Sequence, residues 1–393
     1  MTRKTYVAGV GMIPFTKPGS SETYDKMGAD AVRLALADAA LGYDLIDQAF
    51  AGYIYGDSCS GQRALYEVGL SGIPIFNVNN NCSTGSTAIY LARQAIETGV
   101  AEIALAVGFE QMNPGALGAT YLDRPIPTQK FQDVIEERLG ASDLPAALRL
   151  FGGAGYEHMQ RYGTPLEAFA KIRAKASRHA ARNPLAVFRK EVTAEDVMAD
   201  QPVWPGVMTR LMACPPTCGA AAAVLCSEDA ARKYGLDTRV WIAGQAITTD
   251  RNDTFDSNDM RNAVGYGMAR KAAGKVYAAS GIGPDDVDVI ELHDCFAQNE
   301  LIIYEALGLC SEGGAAAFID DGDNTYGGRF VVNPSGGLLS KGHPIGATGV
   351  AQCFELTQQL RGSADQRQVE GARIALQHNV GVGGACVVTM YRN

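Results

Sequence analysis

The sequence predicts an α/β protein built from a repeated unit. Short apolar runs alternate with helix-period segments along most of the chain, and 45 glycines punctuate the joints. Near the front and again near the back the same order recurs, strand, polar loop, buried helix, strand, which points to duplication. A chain of 393 residues that is 47% hydrophobic can bury a large core and fill two or three domains.

In the first half, residues 45–54 read as a strand after a polar turn. Cys82-Ser-Thr-Gly85-Ser-Thr-Ala88 then opens a helix whose small or apolar positions 88, 91, 92, 95 and 96 follow the i, i+3, i+4, i+7, i+8 rule. It ends at Gly99, and Glu102-Ile-Ala-Leu starts the next strand. In the second half, residues 287–293 read as the matching strand. His343-Pro-Ile-Gly346-Ala-Thr-Gly349 opens the matching helix, with Ala347, Val350, Ala351 and Phe354 on one face. Gly362 ends it, and Arg373-Ile-Ala-Leu repeats the strand.

Between the halves, residues 115–205 break the pattern with Pro125, Pro127, Pro145, Pro165, Pro184 and dense charge, so they read as an insertion. One helix within it starts at Pro165, since proline suits a first helical turn. The expected division is an N-terminal half (1–114 plus 206–238), the insertion (115–205) and a C-terminal half (239–393). An insertion over the active face is a reasonable place to hold a large substrate handle.

The net charge of −9 lacks the basic footprint of a nucleic-acid binder. A local exception is Lys171, Arg173, Lys175, Arg178, Arg182, Arg189 and Lys190, which reads either as a solvated helix face or as a seat for a nucleotide's phosphates. No run approaches the roughly 18 uninterrupted apolar residues of a membrane span, and the opening Met-Thr-Arg-Lys leads straight into a strand-like run. A soluble, unprocessed chain is expected. Nine scattered cysteines predict free thiols in a reducing compartment, and the tail Met-Tyr-Arg-Asn is no peroxisomal address. The expected location is cytoplasmic.

Cys82 follows Asn77-Val-Asn-Asn-Asn at the mouth of the first repeat helix. There, unpaired N–H groups and the helix dipole would lower a thiol's pKa and make it a nucleophile. The plainer alternative is a small buried residue closing helix against strand. His343 holds the corresponding helix mouth of the second repeat. If the repeats pack about a pseudo-twofold axis, Cys82 faces His343 and gains a base. His293-Asp-Cys295-Phe296 follows the 287–292 strand, at the end where ligand sites of α/β sheets gather. Cys295 could transfer a proton there, with His293 donating to a developing enolate. His-x-Cys without a nearby Cys-x-x-Cys is weak for zinc, so no metal is expected. Cys214-Pro-Pro-Thr-Cys218, with Cys226, reads as a packed loop. His378-Asn-Val-Gly381-Val-Gly383-Gly384 follows the last repeated strand, and its glycines suit an oxyanion cradle better than a dinucleotide fingerprint.

These stretches resemble the four active-site loops of the thiolase superfamily: Cys82-Ser-Thr-Gly, His293-Asp-Cys-Phe, Asn333-Pro-Ser-Gly-Gly-Leu-Leu-Ser-Lys-Gly-His-Pro-Ile-Gly, and His378-Asn-Val-Gly-Val-Gly-Gly. The nearest branch is the sterol-carrier-protein type, also called lipid-transfer-protein-like, and the likeness covers essentially the whole chain. It implies a five-layered αβαβα sandwich of two duplicated halves with a loop domain inserted in the first, assembled as a homodimer or homotetramer. It implies that Cys82 takes an acyl group, His343 activates it and Cys295 is the acid/base toward the α-carbon. His293 with His343 would form one oxyanion hole, and the Cys82 amide with an amide of the glycine run another. The substrates implied are acyl-CoA and coenzyme A, with no tightly bound cofactor.

Two departures from commoner thiolases bear on this assignment. His293-Asp-Cys-Phe stands where many members have Asn-Glu-Ala-Phe, and His378 stands where they carry a second catalytic cysteine, so the acid/base thiol is expected at Cys295. Cys218 replaces a frequent aspartate, and the sequence offers no account of it. The implied reaction is thiolytic cleavage of a 3-oxoacyl-CoA. A thiolase-fold retro-aldolase working with a partner protein would not need both cysteines. A non-catalytic lipid or sterol carrier would not require a thiol at a helix mouth, and no separate carrier domain is expected after Asn393.

Overall fold

The computed structural model describes residues 3–115, 118 and 121–393, so the first two residues of the expected N-terminal half and four positions early in the expected insertion lie outside the described residues. Twelve strands occur among the described residues. They are β1 (Thr5–Met12), β2 (Gln48–Gly52), β3 (Ile75–Val78), β4 (Ile103–Glu110), β5 (Pro202–Trp204), β6 (Met208–Thr209), β7 (Gly219–Ser227), β8 (Trp241–Thr248), β9 (Val289–Glu291), β10 (Val331–Val332), β11 (Ile374–Gly381) and β12 (Ala385–Arg392). β5 and β6 form a separate hairpin.

The others run β10-β9-β11-β12-β8-β1-β7-β4-β2-β3, which is one five-strand pattern used twice. β1 is antiparallel to β7, β7 antiparallel to β4, and β4, β2 and β3 are mutually parallel. β8, β12, β11, β9 and β10 repeat that sequence of directions. The two sets meet where Tyr6 pairs with Trp241, beside the bond from the Val7 N–H to Val240 O at 2.9 Å. The repeat extends to single hydrogen bonds. Asp47 accepts the N–H groups of Glu102 and Ile103, at 2.8 and 2.9 Å, just as Asp288 accepts those of Arg373 and Ile374.

Alternation along the strands makes the layers, because successive side chains point to opposite faces. In β4, Leu105 and Val107 join an outer core with Ala31, Val32 and Ala35 of the Tyr24–Asp38 helix. Ala104 and Ala106 face inward to Ile89, Ala92 and Val350. In β11, Ala375 faces the same inner core, while Leu376 faces a third one with Ala272 and Val276 of the Tyr266–Ser280 helix. The inner layer consists of the two repeat helices, Thr84–Glu97 and Thr348–Arg361, held between the sheets. The result is a five-layered αβαβα sandwich of two duplicated halves.

The sequence reading misplaces two boundaries. The second repeat helix starts at Thr348, not at His343, which instead sits in the preceding loop. β11 continues through Gly381, so His378 and Gly381 are strand residues and only Val382–Gly384 turn into β12.

The inner helices touch through backbone at their N-termini. A Cβ on Gly349 would lie 2.2 Å from the Ser86 N and 2.3 Å from its Oγ, and one on Gly85 would lie 2.8 Å from the Gly346 O. Gly349→Ala must push the halves apart, and we expect a loss of about 3 kcal/mol or more in denaturant unfolding. A variant within about 0.5 kcal/mol of wild type would contradict this packing.

Between the halves, helices span Gln129–Leu139, Ala146–Tyr162, Leu166–Ala181 and Ala194–Ala199. They pack on the C-terminal half: Phe151 stacks on Phe296 at 4.8 Å, and His158 bonds Glu305 at 2.9 Å. These helices therefore buttress the helix that follows the His293-Asp-Cys295 loop.

Candidate active site

Cys82 sits on a sharp turn between β3 and the first inner helix. The residue before it, Asn81, has φ of 49°, a left-handed conformation that asparagine tolerates better than most residues. The turn is held by Asn80, whose carbonyl accepts from the Ser83 N–H and hydroxyl, and whose own N–H donates to Thr84 Oγ1 at 2.8 Å. From the other half, Val382 O accepts from Asn81 Nδ2 at 2.7 Å. Gly381 approaches so closely that a Cβ there would lie 2.3 Å from the Asn80 O. The absence of a side chain at Gly381 lets that strand end meet the Cys82 turn, while Gly383, φ 105°, serves the turn into β12.

His293, His343 and Cys82 converge: one side-chain N or S atom from each lies within 4.8 Å of the others, and the two rings are edge to face at 5.1 Å. Hydrogen bonds fix which nitrogen of each ring carries its proton. The Thr348 hydroxyl donates to Pro344 O at 3.0 Å, so at 2.6 Å it can only accept from His343 Nδ1–H. Among the described residues His343 Nε2 is left as a buried lone pair without a partner. The Ser86 hydroxyl donates to Asn379 Oδ1, so Asn379 Nδ2 donates to His293 Nδ1 at 2.9 Å and His293 Nε2 carries the proton. The His293 backbone N–H donates to His378 Nδ1, which makes His378 Nε2 a buried N–H without a partner. The site thus holds one imidazole acceptor and two imidazole donors. Since His293 keeps a proton on its free nitrogen, the trio does not offer a metal three lone pairs.

Cys295 is buried beside them. Its loop is anchored by Asp294, whose carboxylate accepts the Leu338 N–H at 2.7 Å and caps the short Gly337–Ser340 turn. Gly337, φ 60°, has room for no Cβ, since one would lie 2.1 Å from Asp294 Oδ2. The buried pair Lys341–Glu291, 3.2 Å, ties the same segment to β9.

Two contributors escaped the sequence reading. Segment 213–218 crosses the site: Cys214 N–H donates to Cys295 O at 2.9 Å, and Thr217 Oγ1 accepts the His343 N–H at 2.6 Å. Cys218 now has an account, since its sulfur accepts the Met112 N–H at 3.2 Å and donates to Met112 O at 3.4 Å. Glu110, at the end of β4, accepts backbone N–H groups from both halves. Paired Cys and His motifs are visible in sequence, whereas these contacts depend on chain segments meeting in space.

The electrostatics correct one expectation. Burial pushes the Cys82 thiol up to about 12, its own backbone N–H lowers it less, and Glu110 adds to the rise. Desolvation outweighs the helix mouth. Burial, with the neighbouring Cys214 and Cys82 thiols, raises Cys295 well above the ordinary thiol range. Burial also lowers His343 and His378 to about 3 and His293 well below the usual imidazole value. At neutral pH the site is a set of neutral thiols and neutral imidazoles.

All 5 histidines are buried, which makes the prediction readable by NMR. A group with depressed pKa stays deprotonated until the pH falls through that lower value. His293, His343 and His378 should therefore keep neutral ring-nitrogen shifts from about pH 8 to about pH 5. His343 should appear as the Nδ1–H tautomer, and His293 and His378 as Nε2–H. An Nε2–H His343, or titration near the free-imidazole value, would contradict the assignment.

The basic cluster does not behave as one surface. Arg173 is buried with its guanidinium on Ser340, and Lys175 is buried against Glu300. Lys171 pairs with Glu167 and Asp320, and Arg182 lies over Tyr326 at 4.6 Å. Arg178 lines a cavity of about 410 Å³ with Lys171, Thr193 and Asn324. Arg173 therefore cannot serve as a phosphate contact in this conformation.

A five-layered α/β sandwich of repeated halves, with a cysteine and three histidines gathered where the inner helices meet, defines a protein of the thiolase fold. The family description "Thiolase, N-terminal domain" matches residues 5–204 and "Thiolase C-terminal domain-like" matches residues 250–391. The chain belongs to the thiolase family. It is 53% identical over 394 residues to sterol carrier protein 2 of Homo sapiens, covering 99% of this chain and 72% of that relative. It is 35% identical to benzoylsuccinyl-CoA thiolase subunit BbsB of Thauera aromatica, over 98% of this chain and 96% of that one. Among solved structures, the Ltp2-ChsH2(DUF35) aldolase shares the fold with TM-score 0.83 at 23% identity, covering 99% and 97% of the two chains. No helix among the described residues is long and apolar enough to cross a membrane.

Proposed function

We propose that the chain is a thiolase that cleaves a 3-oxoacyl-CoA with CoA, giving a shortened acyl-CoA plus acetyl-CoA or propanoyl-CoA, in β-oxidation of fatty-acid or sterol side chains. The observation that carries the reading is the unpartnered His343 Nε2 lone pair in the same cluster as Cys82. His343 takes the Cys82 proton as Sγ attacks C3 of the substrate. The C3 oxyanion is met by the Cys82 amide, an amide of the glycine turn and the free His378 N–H. The C2–C3 bond then breaks, and its electron pair becomes the enolate of the departing acyl-CoA. His293 Nε2–H and the newly protonated His343 stabilise that enolate oxygen, and the Cys295 thiol protonates C2. The Cys295 thiolate then takes the thiol proton of CoA as its sulfur attacks the acyl-cysteine, and His343 returns its proton to the departing Cys82 sulfur, releasing the shortened acyl-CoA and restoring the site.

The division into residues 1–114 with 206–238, 115–205 and 239–393 remains our reading of the chain's organisation, and the cytoplasm that of its location. We read the assembly as a homodimer or homotetramer, because the edge strand β3 exposes Phe76, and Tyr66 and Leu70 shortly before it in the chain are exposed too. A retro-aldolase acting with a partner protein on steroid side-chain acyl-CoA is the second reading, supported by likeness of fold to an aldolase. It makes no use of an acyl-cysteine. A lipid or sterol carrier would make no use of a base beside a thiol.

The test is consumption of acetoacetyl-CoA and of a long-chain 3-oxoacyl-CoA. The thiolase reading predicts CoA-dependent cleavage of at least one of them, with the shortened acyl-CoA as product. Failure on both, together with CoA-independent splitting of a 3-hydroxyacyl-CoA, would replace it with the aldolase.

A further inference from the structure

We propose that Glu110 is a positioning residue, whose carboxylate docks the loop carrying His343 onto the half of the molecule that carries Cys82. The inference rests on the reading of Cys82 as nucleophile and His343 as its base. Glu110 is 1% exposed at the end of β4. Its carboxylate accepts the N–H groups of Ile54 at 3.1 Å and Tyr55 at 2.9 Å, which follow β2 in the first half. It also accepts the Gly346 N–H at 2.9 Å, from the loop between His343 and the second inner helix. One buried side chain thus spans the seam between the repeats, three residues from the base.

The seam is tight at this point. A Cβ on Gly346 would lie 2.7 Å from the Phe109 O and 2.8 Å from the Gly52 O, so backbone of the His343 loop lies directly on the ends of β2 and β4. A carboxylate suits such a place because its two oxygens can accept from several N–H groups and it has no donor to misdirect. Burial pushes Glu110 up to about 7, and its three backbone bonds oppose that rise. The titratable groups facing it are the Cys82 thiol and the Tyr55 phenol, both raised in part by its charge. The carboxylate therefore has two effects. It holds the base in reach, and its charge adds to the burial that disfavours a resting Cys82 thiolate.

Glu110→Gln separates these effects from loss of fold, because they move two readouts in opposite senses. The amide must turn an N–H donor toward at least one of the three backbone donors, loosening the His343 loop. Acylation of Cys82 by a 3-oxoacyl-CoA is expected to slow by about 10- to 100-fold with KM little changed. The pH midpoint for alkylation of Cys82 by iodoacetamide is expected to fall, since a nearby negative charge is gone. An acylation rate within about threefold of wild type, or an alkylation midpoint that stays or rises, would overturn the proposal. If the wild type alkylates at Cys82 but is never acylated, the thiolase reading fails, and the midpoint shift still judges the electrostatic role of Glu110. Should the variant not fold, amide hydrogen exchange of the wild type decides. Tyr55 and Gly346 should be protected to the same degree, and rapid exchange at Gly346 alone would overturn the docking role.

Discussion

Replacing Cys82 with alanine is expected to lower 3-oxoacyl-CoA thiolysis by on the order of 10⁴-fold or more. The size follows from how much of the chemistry passes through one atom. Without Sγ there is no covalent intermediate, the His343 lone pair has no proton to take, and the donors around the site can bind substrate but have no attack to assist. Substrate affinity and thermal stability should stay close to wild type, since the change removes one sulfur from a residue already in a small-residue turn. Residual activity above about 1% of wild type would mean that another group attacks C3 and would dismantle the scheme. Cys214 is the obvious candidate, because it lies beside Cys295 on a segment that the sequence reads as a packed loop.

The second large effect separates the two thiols. Cys295→Ala is expected to abolish carbon–carbon cleavage, by about 10²- to 10⁴-fold, while leaving acyl exchange between a simple acyl-CoA and CoA nearly intact. Exchange needs only the Cys82 acyl-enzyme, whereas cleavage also needs a proton delivered to C2. Uptake of deuterium from solvent into the α-carbon of acetyl-CoA should be lost with cleavage. Burial keeps the Cys295 thiol protonated across the physiological range, which suits a group that first gives a proton. Equal loss of exchange and cleavage would place Cys295 in structure rather than proton transfer. His293→Gln should fall between these outcomes, because the amide can still donate toward an enolate oxygen.

Much of this arrangement is readable in the chain itself, for a physical reason. Duplication leaves the same local instructions twice, so Glu102-Ile-Ala-Leu and Arg373-Ile-Ala-Leu both begin strands, β4 and β11, that pair with their neighbours in the same way. Glycines that mark helix ends and close approaches are equally visible. What escapes is long-range. Glu110 and Gly346 are 236 positions apart, and neither stretch says that a carboxylate will bridge them. The tautomer of His293 depends on Asn379 and Ser86, contacts that exist only once the first inner helix has docked against β11. The acidity of Cys82 failed for the same reason. A helix mouth can be read from spacing, but the depth of burial that outweighs it is a property of five stacked layers. The basic cluster misled similarly, because helical spacing cannot show that Arg173 and Lys175 turn inward to Ser340 and Glu300.

The most direct test of the central claim is mass spectrometry of the protein mixed with a 3-oxoacyl-CoA in the absence of CoA. The scheme predicts a gain of one acyl group, confined to the peptide that contains Cys82, and its removal as acyl-CoA when CoA is added. An unmodified protein, or an acyl group on any other residue, would contradict it.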